Sequence, residues 1–320
     1  MIYDFDYRLL SGENKTHFRE QQAVFIMAPR SISPKRLSQL IKSYLNDSAV
    51  IVGISKEPFI TGLELQPQFA MMPLRTTKSI VNRIQRTKPN NQLSIVSYHQ
   101  VEITEVLRLI RPNKLVAVRG SYYHAFHLLP TYEFLTKRHI PYELVSPFTD
   151  ENEAIEYLNK TTPELPIIDM IRGDERAMLK ASDEVAKRSF DYSYQTGAIL
   201  AEQTEDGSYD IIDGASNDVV PYQTYAMHFG NTREENLSTY QDGTHYDTIH
   251  AEMNIVTRAL ARKQSLDGKS LFVNLMPCPN CSRTLCYTGL KEIIYMNKHS
   301  GDYAKQLFKK TDISTRRIDR

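Results

Sequence analysis

The chain has 320 residues, 41% of them hydrophobic and 24% charged, with a formal net charge of +1. That length holds two domains of ordinary size, and the near-neutral balance gives no global basic field to draw in a polyanion. Three cysteines speak against a disulfide framework and fit a reducing compartment; no apolar run approaches the roughly 20 residues of a membrane span, and the N-terminus lacks the apolar stretch of a secretory signal, so a cytoplasmic protein is expected.

From about residue 22 short apolar runs alternate with amphipathic segments. Strand runs at 23–28, 49–55, 92–98, 114–120 and 141–146 are interleaved with helical patterns at 33–45, 76–86, 101–110, 124–139 and 151–160. This alternation predicts βαβ units and a Rossmann-like parallel sheet over residues 1–165. Pro130 is expected to kink or restart the helix of 124–139. The polar, proline-bearing stretch 161–166 reads as a linker to a second domain, 166–320. There a helix is expected over 174–189, a β-hairpin from 196–203 and 209–214, and loop through 215–248. A helix from His250, a strand at 270–275, a helix from Cys278, a strand at 291–296, a helix at 302–310 and a strand at 313–318 complete the order.

The chemistry lies in His250-Ala251-Glu252 and Pro277-Cys278-Pro279-Asn280-Cys281. One histidine and two cysteines three residues apart can fill three positions of a tetrahedral zinc, leaving the fourth to water. Both sets stand at helix N-termini, whose partial positive charge favours thiolates, and Pro277 at the helix entrance costs little. The metal lowers the pKa of its water to roughly 7, and a carboxylate beside it can carry a proton from that water to a leaving amine. Glu252 is the candidate. A purely structural zinc site would need a fourth protein ligand; Cys286, about 140° round the helix from Cys281, points away and is expected in the core.

This H-x-E…P-C-x-x-C pattern is the signature of zinc-dependent base deaminases. The stretches TGAILA (196–201), GASNDVVPY (214–222), TIHAEMNIV (248–256) and LMPCPNCSRTLCYTGLKEIIY (275–295) resemble deoxycytidylate (dCMP) deaminases. The resemblance covers 174–318 and implies a five-stranded mixed sheet between helices, one catalytic Zn2+, hydrolysis of dCMP to dUMP and ammonia, and a homo-oligomer. It further implies that Asn217 contacts the substrate, with Ala251 and Pro277 as candidates beside the ligands; the same asparagine can instead stabilise its turn. Where the family has Asp-Lys-Tyr, this chain has Asn297, Lys298 and His299. A nucleic-acid base editor is an alternative, against which the low net charge argues; a riboflavin-pathway deaminase and a non-catalytic scaffold are others.

The first half has neither a P-loop nor a G-x-G-x-x-G fingerprint. Its VRGSYYHAFH (118–127) follows a strand at the place where open α/β sheets bind ligands. His124 and His127 would share a helical face there. A regulatory, partner-binding or oligomer-forming role rests on that position alone.

Overall fold

Val, Ile and Leu dominate the strand runs of the first half because a parallel sheet is covered on both faces. In the computed structural model, which describes residues 4–27, 31–164, 172–240, 242–299 and 302–319, these runs become a six-stranded sheet. The elements are β1 (Asp4–Asp6), α1 (Gly12–Glu20), β2 (Val24–Met27), α2 (Pro34–Leu45), β3 (Val50–Ser55), α3 (Leu74–Gln85), β4 (Leu93–Tyr98), α4 (Ile103–Ile110), β5 (Lys114–Val118), α5 (Pro130–Lys137), β6 (Tyr142–Val145) and α6 (Glu151–Thr161). All pairings are parallel, in the order β1-β4-β3-β2-β5-β6. The chain winds outward from β2 through β3 to β4, then returns to the other side of β2 with β5 and β6. Residues of β2, β3 and β4 are buried throughout. Ser33 caps α2 by accepting from the Arg36 N–H, with Pro34 in the first turn.

The expected helix over 124–139 begins only at Pro130, which tolerates the first turn because its missing N–H would be unpaired there. Before it, His124 has a left-handed φ of 64° and Phe126–Leu128 is a 3-10 turn. His124 and His127 therefore do not share a helical face.

The second half continues with β7 (Arg172–Gly173), α7 (Glu175–Ala186), β8 (Gly197–Gln203), β9 (Tyr209–Ser216), β10 (Asp218–Val219), α8 (Tyr225–Phe229), α9 (Thr232–Glu235), β11 (Thr248–Ile249), α10 (Ala251–Ala261), β12 (Ser270–Leu275), α11 (Pro279–Leu285), β13 (Glu292–Asn297), α12 (Tyr303–Lys310) and β14 (Ser314–Arg317). Its sheet runs β14-β13-β12-β8-β9-β7. It has six strands where the resemblance implies five; β7, two residues antiparallel to β9, is the addition. β12, β13 and β14 are parallel, while β8 is antiparallel to β12 and β9.

Side chains alternate across this sheet with period 2. Leu271, Val273, Ile293 and Tyr295 pack on one face with Ala251, Ile255, Leu285 and Phe308 from the helices. Phe272, Ile294 and Met296 pack on the other with Met178, Leu179 and Val185 of α7. A Cβ on Gly197 would lie 2.0 Å from the Ser182 carbonyl oxygen, so α7 rests directly on the start of β8.

The chain divides into two compact units, Met1–Thr161 with Thr224–Tyr246, and Thr162–Gln223 with Asp247–Arg320. The expected boundary at 165/166 lies outside the described residues. Much of the segment expected as loop, 215–248, is structured: it ends in the β10–β11 ladder and carries α8 and α9. Its middle, 224–246, is here called the strap, and it packs within the first unit, where Thr224 Oγ1 donates to the Ala154 carbonyl at 3.0 Å. Among the described residues no helix is long and apolar enough to cross a membrane.

Candidate active site and metal centre

Two helix starts build the site. His250 is the N-cap of α10 and Cys278 that of α11, and both have extended backbone. Cys281 lies in the first turn of α11, and its N–H donates to the Cys278 sulfur at 3.4 Å. Nδ1 of His250 is 3.5 Å from the Cys278 sulfur and 3.4 Å from that of Cys281. Among the described residues these three are the one group of at least three His, Cys, Asp or Glu side chains placed to hold a metal ion. Zinc bonds of about 2.3 Å to sulfur and about 2.0 Å to nitrogen, at tetrahedral angles, put such donors about 3.6 Å apart. The observed separations fit.

The three donors polarise one another. The neighbouring Cys281 and His250 hold the Cys278 thiol far below its usual value. Cys281 is pushed up, first by its hydrogen bond with Cys278 and then by burial. The bond to Cys278 raises His250. Glu252, in the first turn of α10, is 2% exposed. Burial pushes its carboxyl up against the opposing charge of His250. Its Oε2 has no hydrogen-bond partner among the described residues, so an acceptor beside the three donors is left for a ligand or water.

The other candidates are placed differently. Asn217 Nδ2 donates to the Tyr194 carbonyl at 2.9 Å and to Asp191 Oδ2 at 3.2 Å, and its Oδ1 accepts from the Thr196 N–H at 2.8 Å. Both amide hydrogens are committed to the 191–196 loop, which leaves one oxygen lone pair for a ligand. The β10–β11 register, Asp218 opposite Ile249, continues to Asn217 opposite His250, so this loop is held next to the first donor. Ala251 is fully buried in the core. Pro277 is buried beside Cys278. Cys286 is half-buried against the same core. Arg283 bonds Asn280 and lies 3.5 Å from the Tyr303 hydroxyl, and Lys298 is exposed. His228 and His245 are apart: one bonds Ser146 at 2.6 Å, the other Asp242 at 2.7 Å.

Three residues join the site that spacing alone did not reveal. Asp191, whose carboxyl is pushed up by burial, accepts the N–H groups of Ser193 and Tyr194 and bears electrostatically on His250. Tyr194 and His299 pair edge to face at 5.8 Å. Continuing β12 by two residues in its register with β8 and with β13 brings both level with Pro277. His299 is close enough for the charges of Cys278 and His250 to act on it. The signal for Tyr194 and His299 is sheet register.

A layered sheet whose paired helix starts present one imidazole and two thiols is the architecture of a zinc-binding base deaminase domain. The family model for the cytidine and deoxycytidylate deaminase zinc-binding region matches residues 172–297. Over 145 residues the chain is 31% identical to the deoxycytidylate deaminase of Mus musculus, covering 42% of this chain and 72% of that protein. It is 31% identical over 72 residues to the deoxycytidylate deaminase of Enterobacteria phage T4, covering 21% of this chain but only 37% of that protein; the phage T2 protein is likewise covered over 33%. A dCMP deaminase of the cyanophage S-TIM5, solved with dCMP and dUMP, aligns at 21% identity and a TM-score of 0.36, over 45% of this chain and 96% of its own. The chain belongs to the cytidine and deoxycytidylate deaminase family.

Proposed function

We propose that this protein hydrolyses the amino group of a cytosine nucleotide, converting dCMP and water to dUMP and ammonia. The observation that carries the reading is the buried, half-unpaired Glu252 carboxyl beside a three-donor centre of tetrahedral spacing. His250, Cys278 and Cys281 would hold a zinc ion, which when bound supplies the Lewis acidity that makes water nucleophilic near neutral pH. Glu252 takes a proton from water as its oxygen adds to C4, and delivers it to N3. It then takes the proton of the new hydroxyl and gives it to the exocyclic amine. The C4–N bond breaks, ammonia leaves and C4 becomes a carbonyl. Burial suits Glu252 to both steps, because a raised carboxyl pKa brings its acid and base forms nearer in energy at neutral pH. The deoxycytidylate deaminases among its relatives support dCMP as the substrate.

Ammonia release from cytidine, dCMP, CMP, dCTP, adenosine and a short single-stranded oligonucleotide tests the reading, with zinc-loaded protein beside Glu252→Ala. Turnover of dCMP is expected, lost in the variant at unchanged zinc content. Release from the oligonucleotide alone would overturn it in favour of a nucleic-acid editor.

A further inference from the structure

Helix α10 carries a polar face at four-residue spacing: His250 at its start, then Asn254, Arg258 and Arg262, each stacked one turn beyond the last. Beyond the metal donor, every member of this face is bonded to β9 or its continuation into β10. Arg262 pairs with Asp213 at 3.1 Å. Arg258 pairs with the same carboxylate at 2.7 Å and donates to the Gly214 carbonyl at 2.9 Å. Asn254 Nδ2 donates to Asp218 Oδ2 at 2.7 Å and to the Ser216 carbonyl at 3.2 Å. Those two acceptors stand on either side of Asn217, so both amide hydrogens of Asn254 are spent on the turn that carries it.

Asp218 is the hub of that turn. Its Oδ1 accepts from the Ser216 hydroxyl at 2.9 Å and from Gln223 Nε2 at 2.5 Å. Gln223 Oε1 in turn accepts the Val219 and Phe190 N–H groups at 3.1 and 3.4 Å. Asn217, 3% exposed, exchanges bonds with Thr196: its N–H donates to the Thr196 carbonyl at 2.9 Å, and its Oδ1 accepts the Thr196 N–H at 2.8 Å. Phe190 and Thr196 lie at the two ends of the 191–196 loop, so one network holds the loop and the turn together. Asn254 ties this network to α10, and its own N–H donates to the His250 carbonyl at 2.8 Å. The same residue thus closes the helical turn above the metal donor and reaches across to both neighbours of Asn217. A polar network satisfied in this way fixes one arrangement. Asparagine is a weak helix former, and these bonds are what its place in α10 supplies.

We propose that Asn254 is a positioning residue of the deaminase: through Asp218 it sets where Asn217 and the 191–196 loop stand relative to His250, and so how well a nucleotide is held beside the metal centre. The proposal rests on the deamination reading above. Cutting the link leaves the reacting groups in place, because His250 and Glu252 are carried by the α10 backbone and Cys278 and Cys281 by that of α11. What shifts is the wall that meets the nucleotide, so binding should fall more than the chemical step.

The full zinc-loaded chain and Asn254→Ala, compared by dCMP kinetics, calorimetric titration with dUMP and zinc per chain, test this. In the variant KM for dCMP and Kd for dUMP are expected to rise about tenfold or more, with kcat within about threefold of the wild type and zinc still one per chain. A role in stability alone would lower the melting temperature and leave KM and Kd unchanged, and that result would overturn the proposal. Loss of zinc would overturn it as well, by making Asn254 a support of the metal donor rather than of the nucleotide wall. Asn254→Leu keeps the shape and favours the helix while removing both donors; it should show the same rise, and it decides should Asn254→Ala fail to fold. A wild type that neither turns over dCMP nor binds dUMP would sink the deamination reading and this proposal together, whereas an active wild type with unaltered variants sinks the proposal alone.

Discussion

Cys278 and Cys281 sit in one turn and shift each other's acidity in opposite directions. The hydrogen bond between them draws the Cys278 thiol down and, with burial, pushes the Cys281 thiol up, which favours a proton held on the Cys281 sulfur. A bound cation replaces that proton, so metal binding should release protons and weaken as pH falls. Removing a single donor leaves two, too few to close a structural or catalytic zinc site. Cys281→Ala is therefore expected to take bound zinc from one per chain toward zero, measured by elemental analysis after dialysis. Glu252→Gln should leave that stoichiometry at one while lowering turnover about 10²- to 10⁴-fold, the usual worth of a positioned proton carrier. Loss of zinc in Glu252→Gln would mean that the carboxylate holds the metal rather than the proton.

The elements that carry these residues were legible where chemistry is local. Each strand run of Val, Ile and Leu, each helix start, and each of the pairs His250/Glu252 and Cys278/Cys281 is written within a few consecutive residues. β1 escaped because Asp4–Asp6 has no apolar run and gains its place only by pairing with β4. Tyr194 and His299 escaped because register across β8, β12 and β13 assembles them from positions far apart in sequence, and Asp191 because only its bond from Asn217 ties it in. Gly197 shows how tightly one of these strands is seated: Gly197→Ala would drive a methyl into the α7 backbone at Ser182 and Ala186. A cost of about 3 kcal/mol, toward the upper end for overpacking, should appear in urea unfolding. His124 gives the first unit a pH dependence. Burial, then the charges of Arg233 and His127, lower its pKa to about 4, while an unfolded histidine titrates near about 6.5. As pH falls through that window the unfolded chain binds a proton that the folded ring refuses, so stability is present above pH 6.5 and lost toward pH 4. The loss is about 3 kcal/mol. His124→Gln should flatten the slope of melting temperature against pH there; an unchanged slope would remove His124 as its source.

At the scale of the whole molecule the chain crosses between its units three times, after Thr161, after Gln223 and after Tyr246. The strap is thus written in the deaminase half of the sequence but completes the first unit. Its residues are polar and aperiodic because their partners, Tyr122, Phe126, His127 and Ser146, belong to the other half of the chain. The strap's ends meet where Val219 pairs with Thr248 and the Val220 N–H donates to the Asp247 carbonyl at 2.9 Å. A short loop can therefore close that gap without disturbing β10, β11 or His250. Replacing 225–245 by a few Gly and Ser residues in the full chain should leave one zinc per chain. The first unit, in contrast, loses the acceptor of a buried tyrosine hydroxyl and of a backbone N–H, each unmet buried donor costing about 1–3 kcal/mol. Its urea midpoint should fall while the metal-binding unit keeps its own, separating the two transitions. Loss of zinc with an unmoved first-unit midpoint would reverse the assignment and make the strap part of the deaminase unit.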